Sequence, residues 1–161
     1  MTTRQIPLEI THASERGDLE SVRNLFLEYA QSLGFSLCFQ GFDDELATLP
    51  GRYDTPMGRL LLAKIDGWPT GCVAIRELGP GIAEMKRLYV PPHYRGFGIG
   101  RALAISAIDI AMATGYRSLR LDTTAQMIEA RALYTSLGFA PIKPYNQAPM
   151  TDIVYMERLL A

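Results

Sequence analysis

Cysteine is scarce in this chain. Only Cys38 and Cys72 occur among 161 residues, and they form no CxxC pair. A disulfide framework and a structural zinc site are therefore not expected. Net charge of one sign is also missing. Sixteen Lys and Arg against 17 Asp and Glu leave a formal charge of −1 at pH 7. That excludes the global basic field by which nucleic acids are held. No apolar run approaches the ~18 residues of a membrane span. The first residues, MTTRQIPLEITHASERGD, have no apolar h-region and carry acids early. We expect no signal peptide, no membrane partner and a cytoplasmic protein. What remains is ordinary globular material, 48% hydrophobic and 20% charged. Its length suits a single domain over residues 1–161.

The chain reads as hairpins followed by a β–helix–β unit. Residues 6–11 are β-like. Asp18 is placed to cap a helix carrying Leu19, Val22, Phe26, Tyr29 and Leu33 at helical spacing, and Gly34 stops it. A short helix is expected over 42–49. Strands are expected over 59–65 and 71–78, joined by the turn Asp66-Gly67-Trp68-Pro69. A third follows over 82–90 and ends at Pro91-Pro92. Residues 98–114 form a helix that is apolar on nearly every side. A strand over 117–123, a helix over 125–137 and strands over 139–142 and 153–159 complete the chain. The fold class is α+β, a mixed, mostly antiparallel central sheet flanked by helices. The stretch Ile153-Val154-Tyr155-Met156 either pairs between two subunits of a homodimer or completes the sheet.

The string YRGFGIGRAL, residues 94–103, is the most informative segment. Glycines at a loop-to-helix junction leave backbone N–H groups open, and the helix dipole adds partial positive charge. Such a junction binds phosphates, and Arg95 and Arg101 supplement it. A P-loop is excluded, because no Lys-Ser/Thr follows the glycines. A dinucleotide fingerprint fails on spacing. Counted from Gly96 or from Gly98, the third glycine position falls on Arg101 or Leu103. The acid expected ~20 residues on has a candidate in Asp122, but two prolines lengthen the loop before Gly96.

The longer string LYVPPHYRGFGIGRAL, residues 88–103, resembles the GNAT superfamily of N-acetyltransferases. That family's [RQ]xxGxG[GA] appears as Arg95-Gly96-Phe97-Gly98-Ile99-Gly100. Residues 130–139, ARALYTSLGF, resemble its AxxLYxxxGF. Both motifs stand in the family's order and at about its spacing. The resemblance implies a GNAT fold, acetyl-CoA as co-substrate and no metal. The backbone amides of Arg95, Gly96, Phe97, Gly98, Ile99, Gly100 and Arg101 would hold the pyrophosphate. Leu88, Tyr89 and Val90 would pair with the pantetheine amides like an added strand.

Acetyl transfer to an amine sets three demands. A lysine-like amine, of pKa ~10.4, must lose its proton to attack. The developing oxyanion needs a donor. The departing thiolate leaves better if it is protonated. By resemblance, Glu84 is the base, the Leu88 N–H the oxyanion donor and Tyr134 the acid. Alternation along the strand puts Glu84, Lys86, Leu88 and Val90 on one face, with Arg87 facing away. The plain alternatives are a solvent-facing strand carboxylate paired with a neighbouring cation for Glu84, cross-strand charge pairing for Lys86 and a core-packed ring for Tyr134. The family often has asparagine three residues before Ala130, where this chain has Met127, so one cofactor contact is missing.

The acceptor side is least defined. Phe35, Phe39, Phe42 and Tyr53 either wall a pocket or pack the core. Asp43-Asp44-Glu45 either attract an ammonium group or charge a short helix start. Lys86, beside Glu84, suits an acceptor carrying both an amine and a carboxylate, such as an amino acid. Arg59 is a second cation considered for it. His12 and His93 have no metal spacing. The reading is a small-molecule N-acetyltransferase working by direct attack in a ternary complex. The alternative is a non-catalytic acyl-CoA sensor on the same fold.

Overall fold

The computed structural model describes residues 7–34, 37, 41–148 and 150–160. Seven strands form one sheet: β1 (Leu8–His12), β2 (Arg59–Ile65), β3 (Trp68–Gly79), β4 (Ile82–Tyr89), β5 (Ser118–Thr124), β6 (Ala140–Ile142) and β7 (Ile153–Leu159). The four α-helices among the described residues are α1 (Arg16–Ser32), α2 (Phe42–Ala47), α3 (Ile99–Thr114) and α4 (Ile128–Ser136). Strand order is β1-β2-β3-β4-β5-β7-β6. Only β4 and β5 run parallel, joined through α3; the other neighbours are antiparallel.

Local chemistry explains where boundaries differ from the sequence reading. The hairpin turn needs only Asp66 and Gly67, at φ 50° and 82°, so β3 begins earlier, at Trp68. This is the two-residue turn whose twist matches the strands it joins. Pro69 fits in β3 because the register shifts opposite Lys64. Asp18 does not cap α1. It lies in the first turn and holds Lys64 Nζ at 2.6 Å, tying the helix to β2. α4 starts at Ile128, since Ala125 N–H donates to Asp152 and Met127 N–H to Thr124 in a preceding turn. β7 lies between β5 and β6, so it completes the sheet rather than offering an edge to a second subunit.

The sheet separates two cores. On one face α3 lays Ile99, Leu103, Ala104, Ala107, Ile108 and Ala111 on Leu61, Val73, Ile75 and Met85. Each large side chain buried there contributes about 1.5–3 kcal/mol. Gly71 of β3 makes the approach possible, since a Cβ on it would meet Leu103 Cδ1 at 2.9 Å. On the other face α1 buries Val22, Leu25 and Phe26 against Leu60, Leu62 and Tyr89. No helix among the described residues is long and apolar enough to cross a membrane.

Candidate active site

β4 and β5 pair only at Ile82–Ser118, Ala83–Leu119 and Glu84–Arg120. Beyond Glu84 the two strands part, while β5 stays paired with β7 as far as Thr124. From Met85 onward, the β4 edge turned toward β5 has no strand partner. A narrow cleft opens in the fork, lined by Met85, Lys86, Leu88, Asp122, Met127 and Tyr134. A strand edge of this kind accepts a peptide-like chain by backbone hydrogen bonds.

A bulge shapes this edge. Lys86 pairs with Ala74 and Tyr89 with Cys72, so three steps along β4 match two along β3. Arg87, at φ 63°, is the inserted turn. The left-handed region costs a non-glycine residue about 1–2 kcal/mol. Two hydrogen bonds to Glu45, at 2.9 and 3.0 Å, and the Phe42 ring 5.3 Å from the guanidinium offset it. The bulge corrects the face assignment. Leu88 and Val90 pack on the α3 side. Glu84 and Lys86 face the α1 side, and Arg87 joins them rather than facing away. Phe42 is likewise corrected, from acceptor pocket to the α1-side core beneath Arg87.

The glycine loop lies beyond the end of β4. Pro92–Tyr94 form a 3-10 turn, and Gly96 and Gly98 take φ 87° and 80°. Both are exposed, and a Cβ on either would meet nothing within 4 Å, so their role is conformational. Gly98 is the N-cap of α3, and no side chain caps it. The first N–H groups of a sixteen-residue helix are thus offered to a ligand. Arg95 Nε donates to Val90 O at 2.8 Å, and its guanidinium sits 5.9 Å from the Tyr89 ring. Arg101 donates to Ser136 Oγ at 3.0 Å, linking α3 to α4.

Glu84 is 1% exposed and fully engaged. Oε1 accepts from Arg76 Nε at 2.9 Å and lies 2.8 Å from the guanidinium's second nitrogen. Oε2 accepts from the Tyr145 hydroxyl at 2.7 Å. Lys86 Nζ is 3.7 Å away. Burial alone would raise the Glu84 carboxyl. The charges of Lys86 and Arg76 and the hydrogen bonds from Tyr145 and Arg76 outweigh it, and the group sits below its ordinary range. A carboxylate so paired is a poor proton acceptor. Arg76 is its direct cross-strand partner, so the plain alternative holds in the cation pairing but not in the exposure to solvent. Glu84 is an anchor that fixes two cations.

Those cations floor a cavity of about 530 Å³, lined by Glu45, Arg52, Tyr53, Arg76, Lys86 and Asn146 among others. Lys86 lines both this cavity and the narrow cleft. Glu45 is neutralised by Arg87 and Arg76 by Glu84, so Arg52 and Lys86 stand against Asp44 and leave the wall a single positive excess. Arg59 lies elsewhere, in a groove with His12 and Asp109. Phe35 and Phe39 lie outside the described residues. His93 is exposed in the 3-10 turn, and His12 Nδ1 accepts from Leu60 N–H at 3.1 Å.

Tyr134 is buried in the cleft wall, its ring edge-on to Phe139 at 5.8 Å. Burial pushes its hydroxyl well above the usual range, with the charges of Tyr29 and Asp122 adding to it. It keeps its proton at neutral pH, as an acid must. Met127 accepts from Thr123 Oγ1 at 3.3 Å, so a thioether occupies that stretch of the cleft. The sequence reading missed Arg52, Arg76, Tyr145 and Asn146. They come from a strand, a 3-10 turn and an irregular segment, and no spacing links them.

A model of the acetyltransferase (GNAT) family matches residues 19–139. An uncharacterised N-acetyltransferase of Schizosaccharomyces pombe is 42% identical over 141 residues, 86% of each chain. N-acetylaspartate synthetase of Xenopus tropicalis is 40% identical over 79 residues, 48% of this chain and 29% of that one. The PaiA N-acetyltransferase of Thermoplasma acidophilum, solved in complex with coenzyme A, superposes with a TM-score of 0.73 at 20% identity, covering 94% of this chain and 98% of that one.

Proposed function

The chain belongs to the acetyltransferase (GNAT) family, and we propose that it moves an acetyl group from acetyl-CoA to the amine of a small, carboxylate-bearing acceptor such as an amino acid. One observation carries the reading. The fork between β4 and β5 joins an open strand edge and glycine loop on one side to a cationic cavity on the other. The two half-sites suit two substrates bound together, which favours direct attack in a ternary complex.

The residues present fit the co-substrate. The N–H groups opening α3, from Gly98 through Arg101, suit a pyrophosphate. The open β4 edge at Leu88, Tyr89 and Val90 suits the amides of a pantetheine arm. Acetyl-CoA supplies an activated thioester. Leu88 has no Cα partner on β3 or β5, which favours its N–H as the donor to the thioester oxygen. Tyr134 holds a proton for the departing sulfur. Lys86 and Arg52 receive the acceptor's carboxylate. A relative named for N-acetylaspartate is in keeping with an acceptor of this chemistry.

Thermal stability with acetyl-CoA, NAD and ATP in parallel tests the reading. A ligand confined to the folded state, at ~100 times its Kd, adds about 2.7 kcal/mol. A shift with acetyl-CoA alone is expected. A shift with NAD or ATP instead would reject the assignment of the glycine loop.

A further inference from the structure

If Glu84 is an anchor, the acceptor's amine needs another partner. Of the other acids, Asp44 lines the wide cavity and not the narrow cleft, and two more are engaged. Glu45 is held by two bonds from Arg87, and Glu28 accepts from the Tyr89 hydroxyl at 3.3 Å. Asp122 differs. It is the second residue of β5 past the last β4 pair, at the point where the fork opens. It lines the narrow cleft together with Lys86, Leu88, Met127 and Tyr134. Its Oδ2 accepts from Asn146 Nδ2 at 3.2 Å, and Asn146 lines the large cavity. No side chain among the described residues bonds its Oδ1.

We propose that Asp122 holds the acceptor's amine at the narrow end of the site and takes the proton it sheds. The inference rests on the acetyl-transfer reading and names the base within it. Charge along the site supports it. Arg52, Arg76 and Lys86 outnumber Asp44 and Glu45 in the wide cavity, and Asp122 stands in the narrow cleft beside Tyr134, where Lys86 and the Glu45-paired Arg87 also line the wall. An α-amino acid carries the matching pair, carboxylate toward the cations and ammonium toward Asp122. Asn146 fixes the carboxylate from the wide side, and its own Oδ1 accepts from the Tyr155 hydroxyl.

The bound ammonium first gives up one proton to solvent through Asp122; the neutral amine nitrogen then forms a bond to the acetyl carbon, and the bond from that carbon to sulfur breaks. The proton leaving nitrogen passes to Asp122, and the sulfur takes one from Tyr134. Bond formation makes the nitrogen far more acidic than the free ammonium, so a carboxylate suffices for this transfer. Solvent then takes the proton from Asp122 and returns one to Tyr134. The groups facing Asp122 are Lys86 and Arg87 from β4, Tyr29 from α1, Tyr134 from α4, Tyr155 from β7, and Tyr145 and Asn146 from the segment before β7. Of these Lys86 and Arg87 are the basic groups; burial lowers the Lys86 ammonium, and the Glu84 carboxylate opposes that.

The test is Asp122→Asn, read two ways. Thiol release from acetyl-CoA with aspartate, as a function of pH, should fall roughly 10²–10³-fold and lose the acidic limb of kcat/KM, with acetyl-CoA affinity kept. Calorimetry with coenzyme A present should show the wild type binding aspartate better than succinate, which lacks the amine, and the variant losing that preference. The binding arm needs no turnover, so a wild type that prefers aspartate yet releases no thiol would sink the acetyl-transfer reading while leaving Asp122 as the amine's anchor. Equal binding of aspartate and succinate by the wild type would overturn the inference. So would an Asp122→Asn variant with an unchanged pH profile.

Discussion

The two ends of the cleft are made from different material. The glycine-loop end is built of backbone: the N–H groups that open α3 and the unpaired edge of β4. The acceptor end is built of side chains, with Arg52, Arg76, Lys86, Asn146 and Asp122 drawn from five separate segments. Backbone geometry requires particular residues at fixed spacing, so it leaves a motif. Side chains need only converge in space, so they leave none. The same division predicts how substitutions act: changes at the first end should alter the chemistry or the grip on the co-substrate, and changes at the second should alter the acceptor.

Tyr134→Phe gives the sharpest break. It should lower kcat roughly 10²–10³-fold, equivalent to about 3–4 kcal/mol, because the departing sulfur loses its acid. Calorimetry should find acetyl-CoA binding unchanged. Full turnover would make Tyr134 a packing residue.

Glu84→Gln comes next, and its main readout is stability. Arg76 and Lys86 would remain without their carboxylate, at a cost of about 3 kcal/mol near neutral pH by denaturant unfolding. The sign with pH follows from the lowered carboxyl. Its contribution is present above the ordinary value of 4.5 and is lost as pH falls through the folded value. The gap between wild type and variant should therefore close in acid. The acidic limb of kcat/KM should survive in this variant; its loss would return the base role to Glu84.

Met127→Asn is the smallest. An amide in place of the thioether adds a donor and an acceptor to the cleft wall. One hydrogen bond contributes about 0.5–1.5 kcal/mol, so acetyl-CoA should bind roughly 2–10-fold tighter by calorimetry. Weaker binding would mean that Met127, held by Thr123, packs against the ligand in its own way.

Much of the fold was legible. Turn residues and periodicity placed the seven strands and four helices to within a few residues, and the order of hairpins before the β–helix–β unit implied the mixed sheet. The glycine loop and the Tyr134 segment were legible for the reason given above. Other features were not. The bulge at Arg87 carries no glycine to mark it, since its φ is supported by Glu45, 42 residues away. Simple alternation then put Leu88 on the wrong face. Glu84 was found as a residue but its partners were not, because Arg76 and Tyr145 come from β3 and from an irregular segment. Asp122 was visible only as an acid at a distance from the glycines, and its place at the fork depends on where β4 and β5 separate.

Thiol release from acetyl-CoA over a panel of amines shows whether the cationic cavity selects a carboxylate-bearing acceptor. The panel should include aspartate, glutamate, their amides and a simple diamine, each with wild type and Lys86→Met. A bond to a charged group contributes about 1.5–3 kcal/mol. Turnover should favour the free carboxylates, and their KM should rise roughly 10–100-fold in Lys86→Met while the diamine is unaffected. Preference for the diamine in the wild type, or a Lys86→Met variant that handles the carboxylates unchanged, would contradict that role for the cavity.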